Sequence, residues 1–184
     1  MLITGGKFKS RKISSIKNNI VRPTSNKVRQ SIFNVLIHRF EFNDWRHKNH
    51  MLDAFAGSGI ISFEAMSRNI RKSTLIEEDN VVYENILINI NELSLEDKVT
   101  ILNKSFFDMI SFDAKFKLFY LDPPYYKNLC NISLEKIFDE KLYKKKAIIV
   151  CETEKSFKFN LSFKKYLIFN KIYGSIKISY LLTN

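Results

Sequence analysis

Late in the chain, Asp122-Pro123-Pro124-Tyr125 sets an acid, a rigid backbone and an aromatic ring behind the apolar run Leu118-Phe119-Tyr120-Leu121. A proline has no N–H for a sheet ladder, and the residue before it is held extended. The run therefore predicts a buried strand that ends at Asp122. Beyond it comes a stiff loop at a strand's carboxyl end, the edge where open α/β sheets bind ligands. It offers a carboxylate, free backbone carbonyls and a stacking face.

A second constellation lies upstream. His50-Met51-Leu52-Asp53-Ala54-Phe55-Ala56-Gly57-Ser58-Gly59 reads as a strand, a glycine-rich turn and the start of a helix reaching to about Arg68. Glycines there let a ligand approach the backbone, and the helix start presents free N–H groups. The next strand, Ser73–Glu77, ends on an acid 20 residues beyond Gly57, the interval of a βαβ unit whose acid takes ribose hydroxyls. A dinucleotide suits that spacing, but Ser62 stands where its fingerprint has a third glycine, and Asp53 would repel a pyrophosphate. A cofactor with a cation, an amino group and a ribose suits Asp53 and Glu77 better. S-adenosylmethionine has all three.

The elements that must position these residues alternate. A helix opening near Thr24 or Ser25 carries Val28, Ile32, Val35 and Leu36 on one face, and 41–49 reads as a loop. A helix over Asn80–Asn91 and a short strand Val99–Leu102 come next. After the Asp122 loop follow a helix over Asn131–Lys141, a strand Lys146–Glu152, and a closing antiparallel pair, Phe163–Asn170 with Ser175–Leu182. One α/β domain spanning 1–184 is expected, with residues 1–22 as a basic hairpin arm.

Charge adds a partner. The 184 residues are 45% apolar, ordinary for a globular fold, but carry a formal charge of +11. That excess points to nucleic acid, with compositional drift toward lysine as the plainer source. Lys7, Lys9, Arg11, Lys12, Lys17 and Arg22 suit phosphate contacts, and Arg22 and Thr24 stand where they could face a ligand. Cys130, Cys151 and the three histidines lack metal-ligand spacing, so neither a metal nor a disulfide is expected. Neither a signal peptide nor a membrane span is evident, which predicts a cytoplasmic protein.

Asp53-Ala54-Phe55-Ala56-Gly57-Ser58-Gly59 followed by Asp122-Pro123-Pro124-Tyr125, with Glu77 between, resembles a class I S-adenosylmethionine-dependent amino-methyltransferase. Further segments extend the likeness across nearly the whole chain: Gly5-Gly6-Lys7, Arg22-Pro23-Thr24, Val28-Arg29, Phe33-Asn34-Val35-Leu36, Glu64-Ala65, Ser67-Arg68, Glu152 and Tyr173-Gly174. In order and spacing they resemble the bacterial RsmD-type 16S ribosomal RNA (guanine(966)-N(2))-methyltransferases.

The resemblance implies a Rossmann-like, mostly parallel seven-stranded sheet with a C-terminal antiparallel pair. It also implies a substrate of 16S ribosomal RNA in a small-subunit assembly particle; a monomer is expected. Asp53, Phe55, Gly57, Ser58, Gly59, Glu77, Ser105, Phe106 and Asp122 become the cofactor set. Asp122, Pro123, Pro124 and Tyr125 become the catalytic loop. Lys7, Lys9, Arg11, Lys12, Arg22, Thr24, Tyr126 and Lys127 become candidate RNA contacts. In one place the chain departs from the family pattern: Ser105 stands where an acid usually meets the adenine amino group. Ser105, Asp108 or a backbone group takes that role.

The loop's chemistry derives from guanine N2, whose lone pair is delocalised into the ring. The Asp122 carboxylate and a Pro123-Pro124 carbonyl can each accept one N–H, which turns the lone pair toward a methyl donor. Tyr125 would stack on the base. The same loop serves any planar amine, so adenine N6 of DNA and a glutamine side chain stay open. So does a non-catalytic RNA-binding module.

Overall fold

A computed structural model describes residues 1–16, 24–40, 42, 48–125 and 127–184. Helix α1 (Asn26–Arg39) is capped by Ser25, whose hydroxyl accepts the Val28 N–H. Strand β1 (His50–Asp53) leads through the glycine turn into α2 (Ile60–Ser67), then β2 (Lys72–Ile76). Helix α3 (Asn80–Glu92) starts at Asp79, which accepts two backbone N–H groups, and precedes β3 (Val99–Leu102). A 3-10 turn (Phe106–Asp108) and β4 (Phe116–Leu121) come after it. The chain ends with α4 (Leu129–Asp139), β5 (Tyr143–Glu154), one helical turn (Leu161–Lys164), β6 (Leu167–Tyr173) and β7 (Ile176–Leu182).

The sheet has seven strands in the order β3-β2-β1-β4-β5-β7-β6. Pairs from β3 to β5 are parallel, and β7 is antiparallel to both β5 and β6. The strand order reverses between β1 and β4, so the crevice lies where Asp53 and Asp122 end their strands. Side chains alternate along β4: Leu118 and Tyr120 join a core with α1, α2 and α3, while Phe119 and Leu121 join one with α4. This is the Rossmann-like, mostly parallel architecture with a closing antiparallel pair.

Several boundaries differ from expectation, among them the starts of β5, β6 and α4. β5 begins at Tyr143, because the register slips from Phe116↔Tyr143 to Leu118↔Ile148 and the bulge turns Lys144, Lys145 and Lys146 to solvent. An exposed lysine run has no strand signature. Phe163 was expected in a strand but lies in the helical turn, buried against Phe138 at 5.5 Å, so β6 starts at Leu167. Helix α4 starts at Leu129, two residues before the expected Asn131. The expected loop over 41–49 falls largely outside the described residues.

The N-terminal arm is bound down. Leu2 and Lys12 form an isolated β-bridge, and Ile3 and Ile13 are buried. The Thr4 N–H donates to Glu64 Oε1 at 2.8 Å, and the Phe8 N–H donates to Ser67 Oγ at 2.8 Å. Glu64 is fully buried and also receives Arg29 Nε at 3.5 Å and the Arg68 guanidinium. Arg29 donates onward to the Leu2 carbonyl at 2.7 Å and the Thr24 carbonyl at 2.5 Å. One carboxylate thus joins arm, α1 and α2. Removing one partner of a buried ion pair strands the other, at roughly 3–5 kcal/mol. Glu64→Ala is expected to lower unfolding free energy in urea by about that amount; a change below ~1 kcal/mol would show that the arm holds without this hub.

Candidate functional site

Asp53 ends β1 at 1% exposure. Ser62 Oγ donates to its Oδ2 at 2.9 Å, and Ser73 Oγ donates to Ser62 at 3.1 Å. The serine that broke the dinucleotide fingerprint thus serves as the acid's donor. Among the described residues Asp53 Oδ1 has no hydrogen-bond partner. Burial pushes this carboxyl up to about 7, with Ser62 opposing and Glu77 adding to the rise.

The turn behind it is shaped by two glycines. Gly59 has φ 74°, and a Cβ there would stand 2.8 Å from Phe63 Cε2. Gly57 has φ 52°, and a Cβ there would meet nothing within 4 Å, so its far side opens into the crevice. The Gly57 N–H donates to Glu77 Oε2 at 2.8 Å, and the Asp79 N–H donates to Glu77 Oε1 at 3.0 Å. Ser58 Oγ touches Met1 Sδ at 4.0 Å, so one end of the arm reaches this turn. Burial raises the Glu77 carboxyl above its ordinary range.

Asp122 follows β4 directly, and Leu121 pairs with Cys151, which sets Asp122 level with Glu152 on β5. Pro123 is buried, Pro124 exposed and Tyr125 half-buried. Glu152, 2% exposed, collects three hydroxyls: Tyr120 at 2.6 Å, Thr24 at 3.0 Å and Tyr125 at 3.4 Å. Asp122 itself keeps some solvent access, yet burial, Glu152 and Asp53 push its carboxyl well above the usual range. The ion pairs of the described residues involve none of Asp53, Asp122 and Glu152. Among the described residues, three carboxyls therefore share one edge, two of them served by hydroxyl donors and none paired with a cation.

Glu152 is the residue that residue-type reasoning left without a role. Its signal was present: an acid closing the apolar run Ile148-Ile149-Val150-Cys151 beside the Asp122 strand. Thr24 does not cap α1; its hydroxyl belongs to Glu152 and its carbonyl to Arg29.

The adenine candidates need correction. Phe106 is 1% exposed, enclosed by Phe55, Phe107 and Phe112 at 5.7–6.3 Å, and has no free face for a ligand. Half-buried Phe55 and Phe107, 6.0 Å apart, keep accessible ring surface. Ser105 caps the 3-10 turn by accepting the Phe107 N–H, which leaves its hydroxyl proton for another partner, and Asp108 is exposed.

The RNA candidates divide. Lys7, Lys9, Lys12 and Lys127 are exposed, whereas Arg11, though exposed, gives its guanidinium to the Glu92 carbonyl at the end of α3. The Lys7 N–H donates to the Ser67 carbonyl at the far end of α2, which sets the arm's tip at the sheet edge opposite Asp122. Lys17, Arg22 and Tyr126 lie outside the described residues. No described helix is long and apolar enough to cross a membrane, and the described residues hold no metal-binding cluster.

Fold and site together define an open α/β sheet with a glycine turn, an acid held on that turn's N–H and a proline-stiffened loop at its switch point. The chain belongs to the family described as conserved hypothetical protein 95, which matches residues 1–182. It is 31% identical over 157 residues to the ribosomal RNA small subunit methyltransferase D of Haemophilus influenzae, covering 83% of this chain and 78% of that protein. A solved structure from Haemophilus influenzae superposes with a TM-score of 0.81 at 26% identity, covering 99% of this chain and 97% of that one. An RNA methyltransferase from Salinibacter ruber, in complex with S-adenosyl-L-homocysteine, shares the fold: TM-score 0.66, 14% identity, 88% and 93% covered.

Asp53 also sets a pH dependence. Below about pH 4 its carboxyl is protonated in both folded and unfolded chains and contributes no slope. From there to about 7 the unfolded chain has released the proton while the folded one keeps it, so stability falls as pH rises. Asp53→Asn is expected to flatten unfolding free energy across that window; a slope equal to the parent's would place the titration elsewhere.

Proposed function

We propose that this chain transfers a methyl group from S-adenosylmethionine to the exocyclic N2 of a guanine in 16S ribosomal RNA. The coarser statement, methylation of ribosomal RNA, rests on the family and on the relatives' activity. Guanine N2, the position equivalent to 966, action as a monomer on a small-subunit assembly particle, and a cytoplasmic setting complete the reading.

The observation that carries it is the edge of three carboxyls that no cation pairs among the described residues. The Asp53 Oδ1, buried and without a donor among the described residues, fits an ammonium group. Glu77, held at the Gly57 N–H, retains lone pairs for ribose hydroxyls, and the open side of Gly57 leaves room for the nucleoside. Phe55 and Phe107 suit an adenine face, with Ser105 as its polar neighbour. When bound, S-adenosylmethionine supplies an electrophilic methyl on a sulfonium.

The chain's own residues then handle the amine. Asp122 accepts one N–H of N2, and a carbonyl of Pro123-Pro124, fixed by the prolines, accepts the other. The lone pair leaves conjugation with the ring and points in line with the methyl donor. Positive charge grows on the nitrogen, and Asp122 gains attraction that it lacked in the ground state. The proton that N2 sheds after transfer leaves to Asp122 or to water. Glu152 holds Tyr125 by its hydroxyl, so the ring stands ready to stack on the base. Lys127 and the arm lysines offer phosphate contacts.

Labelled S-adenosylmethionine, offered with small-subunit particles, naked 16S RNA and DNA, tests this reading. Label is expected in the ribosomal RNA and not in DNA. Asp122→Ala should lower transfer by about 10²–10³-fold while cofactor binding by calorimetry persists. Loss of cofactor binding with turnover would reassign Asp122 to the cofactor, and absence of saturable heat in the parent chain would leave only an RNA-binding module.

A further inference from the structure

We propose that the amino-terminal edge of the sheet carries a second ligand site, a cavity of about 620 Å³ that takes a nucleoside phosphate of RNA. This goes beyond methyl transfer, and its residues belong to no part of that machinery. The cavity opens where β1, β2, β4 and β5 begin, whereas the acids of the transfer site stand where strands end. Strands of four to six residues at roughly 3.3 Å each separate the two edges by about 13–20 Å.

Five cations line the cavity, Lys48, Arg71, Lys72, Lys115 and Lys144, against one acid, Asp113. All five are exposed, and the ion pairs of the described residues lie elsewhere, at Glu64 and Glu140. The β5 bulge is what turns Lys144 outward. Their mutual repulsion is felt locally. His50 is pushed down to about 4 by burial and by Lys72 and Lys144, and Lys117 is lowered by burial and by Lys146 and Lys144. Crowded like charges gain nothing for the fold, and a polyanion relieves them.

Charge alone would describe any basic surface; the floor narrows the ligand. Half-buried His50 and Phe112 pack against buried Phe116 at 5.0 and 5.5 Å and supply the accessible ring surface, and half-buried Leu102 and Met109 continue the apolar lining. His50 is neutral at physiological pH and shares a hydrogen bond with Thr74 at 3.1 Å. Cations over an aromatic floor fit a phosphate joined to a base, and the volume is that of a small-ligand pocket. The arm continues the same edge: Lys7 is pushed down by burial and by neighbouring Lys98, just ahead of β3. RNA held there would be a segment remote from the methylated base.

The test uses the full chain with Lys72→Ala, Lys115→Ala and Lys144→Ala combined, thermal unfolding confirming that the fold is kept. Affinity for a 16S RNA fragment is measured across salt concentrations, and AMP and GMP are titrated separately by NMR. Three lost phosphate contacts should flatten the slope of log K against log salt by about 2 and weaken binding at least tenfold at physiological salt. Phe112→Ala should weaken binding without changing the slope. An unchanged RNA slope with saturable mononucleotide binding, lost in the variant, would keep the site and make its source a free nucleotide. No change in either measurement overturns the proposal. Methyl transfer chemistry at Asp122 stands or falls separately, because no residue of the cavity belongs to that loop.

Discussion

Gathering three carboxyls at one sheet edge, Asp53 and Glu152 buried and Asp122 partly so, with no cation paired to them among the described residues, is the constraint on which the structure turns. An unpaired carboxylate loses several kcal/mol of hydration when buried, and the usual remedies are a salt bridge or a proton. This chain uses neutral donors. Ser62 serves Asp53, while Tyr120, Thr24 and Tyr125 serve Glu152. The part that hydroxyls do not offset emerges as raised proton affinity, at Asp122 too, where burial and both other acids act. Such an edge is incomplete until something positive or amine-like enters. A sulfonium cofactor beside an amine that becomes cationic meets that description.

The rest of the architecture keeps those acids in place. Glu64 gathers Arg29 and Arg68 into a paired, buried network, and Arg29 holds the Thr24 carbonyl while Thr24 holds Glu152. The arm enters the same network through Leu2 and Thr4, so the first residues of the chain are tied through Arg29, Thr24 and Glu152 to Tyr125. Across the sheet the charge reverses: acids gather where strands end, and lysines where they begin. A net charge of +11 conveyed the excess but not this separation.

The parts of the site that could be read from the chain are those whose chemistry is local. Proline geometry stops β4 at Asp122, two glycines make the turn, and 20 residues separate Gly57 from Glu77 whatever surrounds them. Parts that depend on packing were hidden. Phe106 and Phe107 are adjacent and chemically alike, and only the aromatic cluster buries one and opens the other. Lys144–Lys146 join a strand because a bulge permits it, and Phe163 leaves one because Phe138 receives it. Glu152 acquires its meaning from strand register, which no spacing along the chain encodes.

The acceptor loop alone fits any planar amine, so the identity of the methylated base is the most direct test of what this edge is for. Ribosomal RNA labelled by the purified chain would be digested to nucleosides and resolved by chromatography. All transferred label is expected in N2-methylguanosine. Label in N6-methyladenosine, with none in N2-methylguanosine, would contradict the assignment of Asp122-Pro123-Pro124-Tyr125 to guanine N2.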